Sequence, residues 1–412
     1  MNPSNTEEAV PGIGRLARVF ASLFPSWVSF TASQALIGWL VFAATSSAAL
    51  VGVAFALRYI PLAVTGVPMG ALSDRFGRLR LLVASNAIQA VISFALAAAA
   101  LTKTPPVTVL FLASAGYGVA DSARLVSGVN LTYDLSGRLG AMRAMATANV
   151  VSGIGMALGG VIAGVILARA GASVTATVVG VAFSAGAVTL VGLPALPGPT
   201  ARGRSSLLSL VRAGLGLVHS VPVIGLLIAI ALVVEVFAFS GMALDPVFAG
   251  AVFAVGPLGL GAILTARAVG RISGAGVVAL VGPRTEIGRW LAAAVALFGA
   301  GLVGFALSPA FDAALALVWV AGVAGVVVDV LEQTALQAGV SAASRGRATG
   351  LWVLTVGVGP LGVLEVGVVA QLLGARLAQA SNGLLVAIFG LLLLGKLGRR
   401  VRSIATASPP QL

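Results

Sequence analysis

The chain has 412 residues, of which 59% are hydrophobic and only 9% charged, and its mean hydropathy is +1.08. Soluble domains carry about 25% charged residues, so the composition excludes a water-soluble enzyme and points to an all-α polytopic membrane protein. The net charge of +13 would suggest nucleic acid in a soluble protein, but here it reads as loop arginine held on one side of a bilayer, and no nucleic-acid partner is expected.

Apolar runs punctuated by Gly, Pro or Arg give twelve segments. They cover roughly 20–43, 49–70, 81–102, 106–129, 143–167, 173–195, 222–244, 250–278, 289–308, 313–338, 349–373 and 379–396. Each is close to the roughly 20 residues that one helical crossing needs. The runs are continuous rather than alternating, which argues against a membrane β-barrel. Pro61, Pro257 and Pro360 are tolerable interruptions, because neighbouring helices can satisfy the freed backbone groups.

When the loops are assigned alternately to two sides, eighteen Lys and Arg fall on one side and three (Lys103, Arg169, Arg376) on the other. The asymmetry places both termini in the cytoplasm of a cell-membrane protein. Arg58, Arg124, Arg267 and Arg271 remain, and all four fall inside segments. The polar, acidic start from Asn2 to Glu8 does not read as a cleavable signal peptide. Zero cysteines exclude disulfide frameworks and thiolate metal sites. No metal, cofactor or catalytic residue is expected.

The breakers Pro194, Pro197, Gly198 and Pro199 close segment 6. Leu207, Leu208, Val211, Leu215 and Val218 then share one helical face, as in an amphipathic helix lying on a membrane surface. The expected organisation is a six-helix bundle over 1–198, a linker over 199–221 and a second bundle over 222–412. Three landmarks recur between the halves: Arg58 and Arg267 at an offset of 209, Asp121 and Asp329 at 208, and Gly160 and Gly367 at 207. A repeat of this kind predicts two pseudo-symmetric bundles.

Between segments 2 and 3 the chain reads Gly70-Ala-Leu-Ser-Asp74-Arg75-Phe-Gly77-Arg78-Leu-Arg80. This resembles the G-x-x-x-D-R-x-G-R signature of the major facilitator superfamily, at the place where that family carries it. The twelve segments, the central linker and the inside termini fit the same family. Arg58-Tyr-Ile-Pro61, Asp245-Pro246-Val-Phe and Gln337 followed by Arg345-Gly-Arg347 look like its enterobactin-exporter and macrolide-efflux branch. The resemblance implies a monomeric transporter of a small molecule, working by alternating access. It also implies that Gly70, Asp74, Arg75, Gly77 and Arg78 form a latch, with Asp74 meeting the start of segment 11 near Arg347 to Leu351. The second half departs from the pattern, because Asp74 falls on Pro283 at the 209 offset. In segment 5, Gly155, Gly159 and Gly160 match part of the family's antiporter motif, while Met156 replaces its proline and Val151 its first glycine. The same glycines do not form a dinucleotide loop, since no strand precedes them.

A charge at mid-bilayer costs about 2.5–3.5 kcal/mol on insertion scales, so such residues face a cavity or a partner. The acids in question are Asp121, Glu235, Asp329, Glu332 and Glu365. Asp121 and Arg124 lie three apart and can neutralise each other. Asp329 and Glu332 are also three apart, but both are acidic, which favours proton uptake. With Arg58, these residues are the candidates for cavity lining and proton coupling. Arg124 is expected to face Glu332 or Asp329 across the cavity. His219, the only histidine, reads as a surface residue. The leading reading is proton-coupled efflux of an amphipathic or hydrophobic molecule, because the helices are mostly Ala, Val, Leu and Gly. The alternatives are an importer or facilitator of a polar metabolite and, more remotely, a membrane enzyme built on Asp329 and Glu332 or a transport-dead sensor.

Overall fold

The computed structural model describes residues 13–102, 105–193, 222–281, 287–340, 351–352 and 354–400. Among them the secondary structure is helical throughout. The linker with its amphipathic face, the residues 341–350 that lead into segment 11, and Pro283 lie outside the described residues. Segment 1 is the helix Ile13–Thr45, segment 2 Ala48–Phe76 and segment 3 Arg78–Ala99. Segments 9, 10 and 12 are Ile287–Leu307, Phe311–Ala338 and Ala375–Arg400.

Ten helices among the described residues are long and apolar enough to cross a bilayer. The expected twelve are only partly visible in that count, for two reasons. Segment 2 registers only as the shorter apolar stretch Ala48–Pro61. Segments 4 to 6 run on as one helical stretch, Val107–Val188, of 82 residues, which counts as two spans, Val107–Ser136 and Arg143–Val188, so that segments 5 and 6 merge. At 1.5 Å per residue a straight helix of that length would reach about 120 Å, four bilayer cores. It does not run straight. Gly128 packs on Leu23, Gly155 on Phe24 and Trp27, and Gly186 on Ser22 and Ser26. Three parts of the run therefore return to the same level of segment 1, and Gly171, at φ +83°, makes one of the reversals.

Segment 7 departs from the expected single helix over 222–244. The α-helix Pro222–Val233 gives way to a π-turn at Val234–Ala238, a 3-10 stretch at Phe239–Leu244, a short turn at Asp245–Val247 and a second π-turn at Phe248–Val252. Pro246 sits where its missing N–H is no loss. Ala254 and Gly256, at φ 53° and 67°, turn the chain into segment 8, Gly256–Val281. Segment 11 is helical at 351–352 and 354–356, breaks in a turn at 357–358 and resumes as the helix Gly359–Leu373. Pro360 lies in the first turn of that helix rather than in its interior.

Gly77 ends segment 2 and begins segment 3 at once, at φ 89° and ψ 136°. L side chains are strained there, so Gly77→Ala should cost about 1–3 kcal/mol. Thermal unfolding of the detergent-solubilised variant reads that loss directly. An unchanged midpoint would contradict the backbone geometry.

The apolar core has a distinctive shape. One cluster draws on both halves and includes Leu36, Val51, Phe183, Phe248, Phe305 and Val363. Two further clusters each belong to one half. Val19, Leu23, Leu82, Leu131 and Leu190 form the first, and Ile224, Leu291, Phe298, Leu336 and Leu393 the second. Among the described residues the apolar core is thus joined at one end and parted at the other, where the turn at Gly77 lies. The joined end is closed by two seams related by the internal repeat. Gly52 meets Gly367, and Gly261 meets Gly160 and Gly164. Small residues let the backbones approach that closely.

Candidate functional site

Each half carries a buried charge cluster, and in both halves a glycine makes it possible. A Cβ on Gly118 would strike the carbonyl of Arg58, and one on Gly322 would strike that of Arg267. Segments 2 and 4, and segments 8 and 10, therefore cross in close contact at matching places.

In the first half, Nε and Nη2 of Arg58 both lie 2.9 Å from Oδ2 of Asp121. Gln89 donates to Oδ1 at 2.9 Å and Arg124 reaches the same oxygen at 3.3 Å. Nη1 of Arg58 donates to Ser33 Oγ at 3.1 Å. The guanidinium of Arg58 sits 4.6 Å over Phe30 and 5.1 Å from the Tyr117 ring, and that of Arg124 sits 4.5 Å over Trp27. Arg58, Asp121 and Arg124 are all buried. Two guanidiniums share one carboxylate, and aromatic faces take up the remaining positive charge.

The second half does not repeat this arrangement at the same level. The crossing matches Gly118 with Gly322, so the residue three places on, Asp121, corresponds to Gly325 and not to Asp329. The sequence offset of 208 misaligns the acids by one turn. The Arg–Asp pair reappears one turn further toward the parted end, as Arg271–Asp329 at 3.5 Å, and it is more exposed there. Arg267, left at the original level, takes Asp245 of segment 7 at 2.7 Å instead. Neither the Arg58–Asp121 pair nor the Arg267–Asp245 pair was foreseen. The available signal was an excess of arginines inside segments.

Glu235, Asp329 and Glu332 lie within electrostatic reach of one another, with Arg271 as their guanidinium among the described residues. Glu332 is 3% exposed and its Oε1 has no hydrogen-bond partner. The Trp352 indole donates to its carboxylate. Glu235 sits in the first π-turn of segment 7, with its Oε2 beside Gly359. Three carboxylates beside one guanidinium leave an acid excess. Protons or a cation can neutralise it; the described residues hold no group of three His, Asp or Glu placed to bind a metal ion.

Arg124 does not face Glu332 or Asp329. It is held by Asp121, Trp27 and Phe30, while Asp329 takes Arg271. Each charge is thus paired within its own half. Glu365 stands apart from the cluster and accepts from Asn382 at 2.9 Å. At the signature loop, Arg78 pairs with Asp134 and donates to the Asn130 carbonyl at 3.2 Å. Arg75 is exposed, 5.4 Å over the Phe76 ring. The side chain of Asp74 lies outside the described residues, as does its expected partner at the start of segment 11. Gly70 falls within the helix of segment 2.

A family model described as Major Facilitator Superfamily matches residues 19–361. No curated protein matches the chain. Among solved structures, the chain is similar to a bacterial homologue of the human lysosomal transporter Spinster in an inward-facing, occupied conformation. The identity is 14% and the TM-score 0.73, over 96% of this chain and 98% of that one. It is similar to the nucleoside transporter NupG at 13% identity and TM-score 0.69, over 96% and 100% of the two chains. It is also similar to a POT family transporter in complex with a thioalcohol-conjugated peptide, at 10% identity and TM-score 0.72, over 94% and 96%.

Proposed function

The chain belongs to the major facilitator superfamily, and on that premise we propose that it exports an amphipathic or hydrophobic small molecule in exchange for protons. The observation that carries the reading is the acid excess of Glu235, Asp329 and Glu332 beside the parted end of two otherwise joined halves. Uncompensated carboxylates are costly in a low-dielectric interior. Proton uptake there lowers the cost of closing the parted end, and this couples proton movement to the rocking of the halves. The excess of basic residues in the loops supports placing the parted end in the cytoplasm. On that placement the protein is a single-chain cell-membrane transporter open to the inside. Its halves, 1–198 and 222–412, are linked through 199–221, and the loop from Gly70 to Arg78 is the latch that engages when their inner ends close.

A second reading, import of a polar metabolite, is favoured by the buried polar side chains Gln34, Ser93, Gln379 and Asn382. Solved relatives by fold include a nucleoside transporter and a peptide-bound transporter. Proteoliposomes separate the two readings. Efflux predicts that an imposed pH gradient drives fluorescent amphipathic dyes against the proton flow, whereas import predicts movement with the protons or none. Glu332→Gln should cut the gradient-driven component by about tenfold or more while downhill exchange persists. Equal losses of both components would remove Glu332 from the coupling.

A further inference from the structure

Between the two glycine seams of the joined end lies a small cavity shared by the halves. Gln34 and Phe55 line it from the first half, and Asp245, Pro246, Leu260 and Leu264 from the second. It leaves about 10 Å³ for the centre of a water molecule, room for one and for nothing larger. Asp245 is fully buried; its Oδ1 takes the Arg267 guanidinium at 2.7 Å, while its Oδ2 has no hydrogen-bond partner among the described residues. Gln34 gives one amide N–H to the Tyr59 hydroxyl at 2.6 Å and keeps a second N–H and its amide oxygen. The cavity therefore offers a donor from one half and an acceptor from the other, and the two do not bond directly.

We propose that this cavity is the binding site of a single water, which accepts from the second Gln34 N–H, donates to Asp245 Oδ2 and so pins the two halves together while the joined end is shut. Charge and size select the occupant. Arg267 already neutralises Asp245, so a cation would leave a net positive charge between apolar walls. An anion would meet the free carboxylate oxygen. A dry cavity would strand that oxygen without a partner, which native interiors avoid. A water satisfies it and adds no charge. Gln34 belongs to segment 1 and Asp245 to segment 7. Opening the joined end draws them apart, breaks the bridge and lets bulk water take its place. The bridge therefore favours the shut form of that end. This goes beyond the export reading, because it holds whichever solute moves and whatever drives it.

A density map of the full chain in nanodiscs with the joined end shut, sharp enough to show buried waters elsewhere, tests the site. It should hold a peak about 2.7–3.2 Å from both Asp245 Oδ2 and the Gln34 amide nitrogen. Gln34→Leu should lose that peak. Spin labels on Ser47→Cys and Gln371→Cys, which meet across the joined end, read the consequence. In that background Gln34→Leu should raise the ratio of long to short label distances about fivefold, the effect of one lost hydrogen bond. Gln34→Leu also gives up the bond to Tyr59, so Tyr59→Phe is the control. That bond lies inside the first half, and its loss should leave both the peak and the ratio unchanged. If Gln34→Leu fails to fold, the wild-type map still decides. An absent peak overturns the proposal, as does a peak about 2.3–2.6 Å from the carboxylate, the distance of a bound cation. So does a peak that survives Gln34→Leu, an unchanged distance ratio once the peak is lost, or a Tyr59→Phe shift as large as that of Gln34→Leu. None of these measurements uses a pH gradient, so a missing water sinks this inference alone, and a failure of proton-driven efflux leaves it standing.

Discussion

Asp121→Ala should destabilise the first half by about 3–5 kcal/mol, the cost of leaving buried charge uncompensated. Asp121 is the carboxylate shared by Arg58 and Arg124, and Gln89 also donates to it. Removing it leaves two guanidiniums facing each other among Trp27, Phe30 and Tyr117, whose ring faces offset only part of the charge. The loss should be insensitive to salt, since screening acts weakly on buried groups. Asp121→Asn keeps the shape and one acceptor for Gln89, so it should fall between wild type and the alanine variant. Replacing Arg58, Asp121 and Arg124 together with leucine should recover much of the stability, because no buried charge then lacks a partner. Thermal unfolding in detergent, followed by size exclusion, measures all three variants. A wild-type midpoint for Asp121→Ala would mean that the arginines are neutralised by something else. If the triple variant folds and still transports, the cluster is purely structural. If it folds and is inert, the cluster also takes part in the cycle.

The contrast between the two clusters shows what could be read from residues alone. Segment existence was legible, because it depends on local composition, whereas the positive φ at Gly77 was not read, the sequence marking that glycine only as part of the signature loop. Asp121 with Arg124 was legible too, since three residues along a helix fixes their distance. Arg58 with Asp121 was not. That pair depends on where segment 2 crosses segment 4, and the crossing is set by Gly118, a residue with no side chain to draw attention. The same blindness misled the repeat. Asp121 and Asp329 look equivalent in sequence, yet the Gly322 crossing puts Asp329 one turn away and gives it to Arg271. Segment 7 failed for another reason. Its apolar run carries no periodic signal that separates α from π or 3-10 winding, and Pro246 reads as a terminator although it sits in a turn that continues. The expected pairing of Arg124 with Glu332 or Asp329 failed because Asp121, Trp27 and Phe30 already hold Arg124 while Arg271 takes Asp329.

Holding the joined end shut should stop flux altogether. Ser47, between segments 1 and 2, donates its hydroxyl to the Gln371 amide oxygen of segment 11 at 2.9 Å, and both side chains are reachable at the surface. The chain has no cysteine of its own, so Ser47→Cys with Gln371→Cys makes a single possible bridge. A disulfide needs Cα atoms about 4.4–6.8 Å apart, and a short bis-methanethiosulfonate reagent covers a longer span. Ser47 also accepts from the Leu50 amide as the cap of segment 2, so the single Ser47→Cys variant should lose about 1 kcal/mol of stability while still carrying solute. Bridging should then abolish transport, and reductant should restore it. Access from the parted end should survive, because nothing there is tied. A bridged protein that binds dye from one side yet moves none across is the result that alternating access demands. Full-rate flux through the bridged protein would mean that the seams at Gly52 and Gly261 never open during transport, and the two halves would then be a fixed scaffold rather than a moving pair.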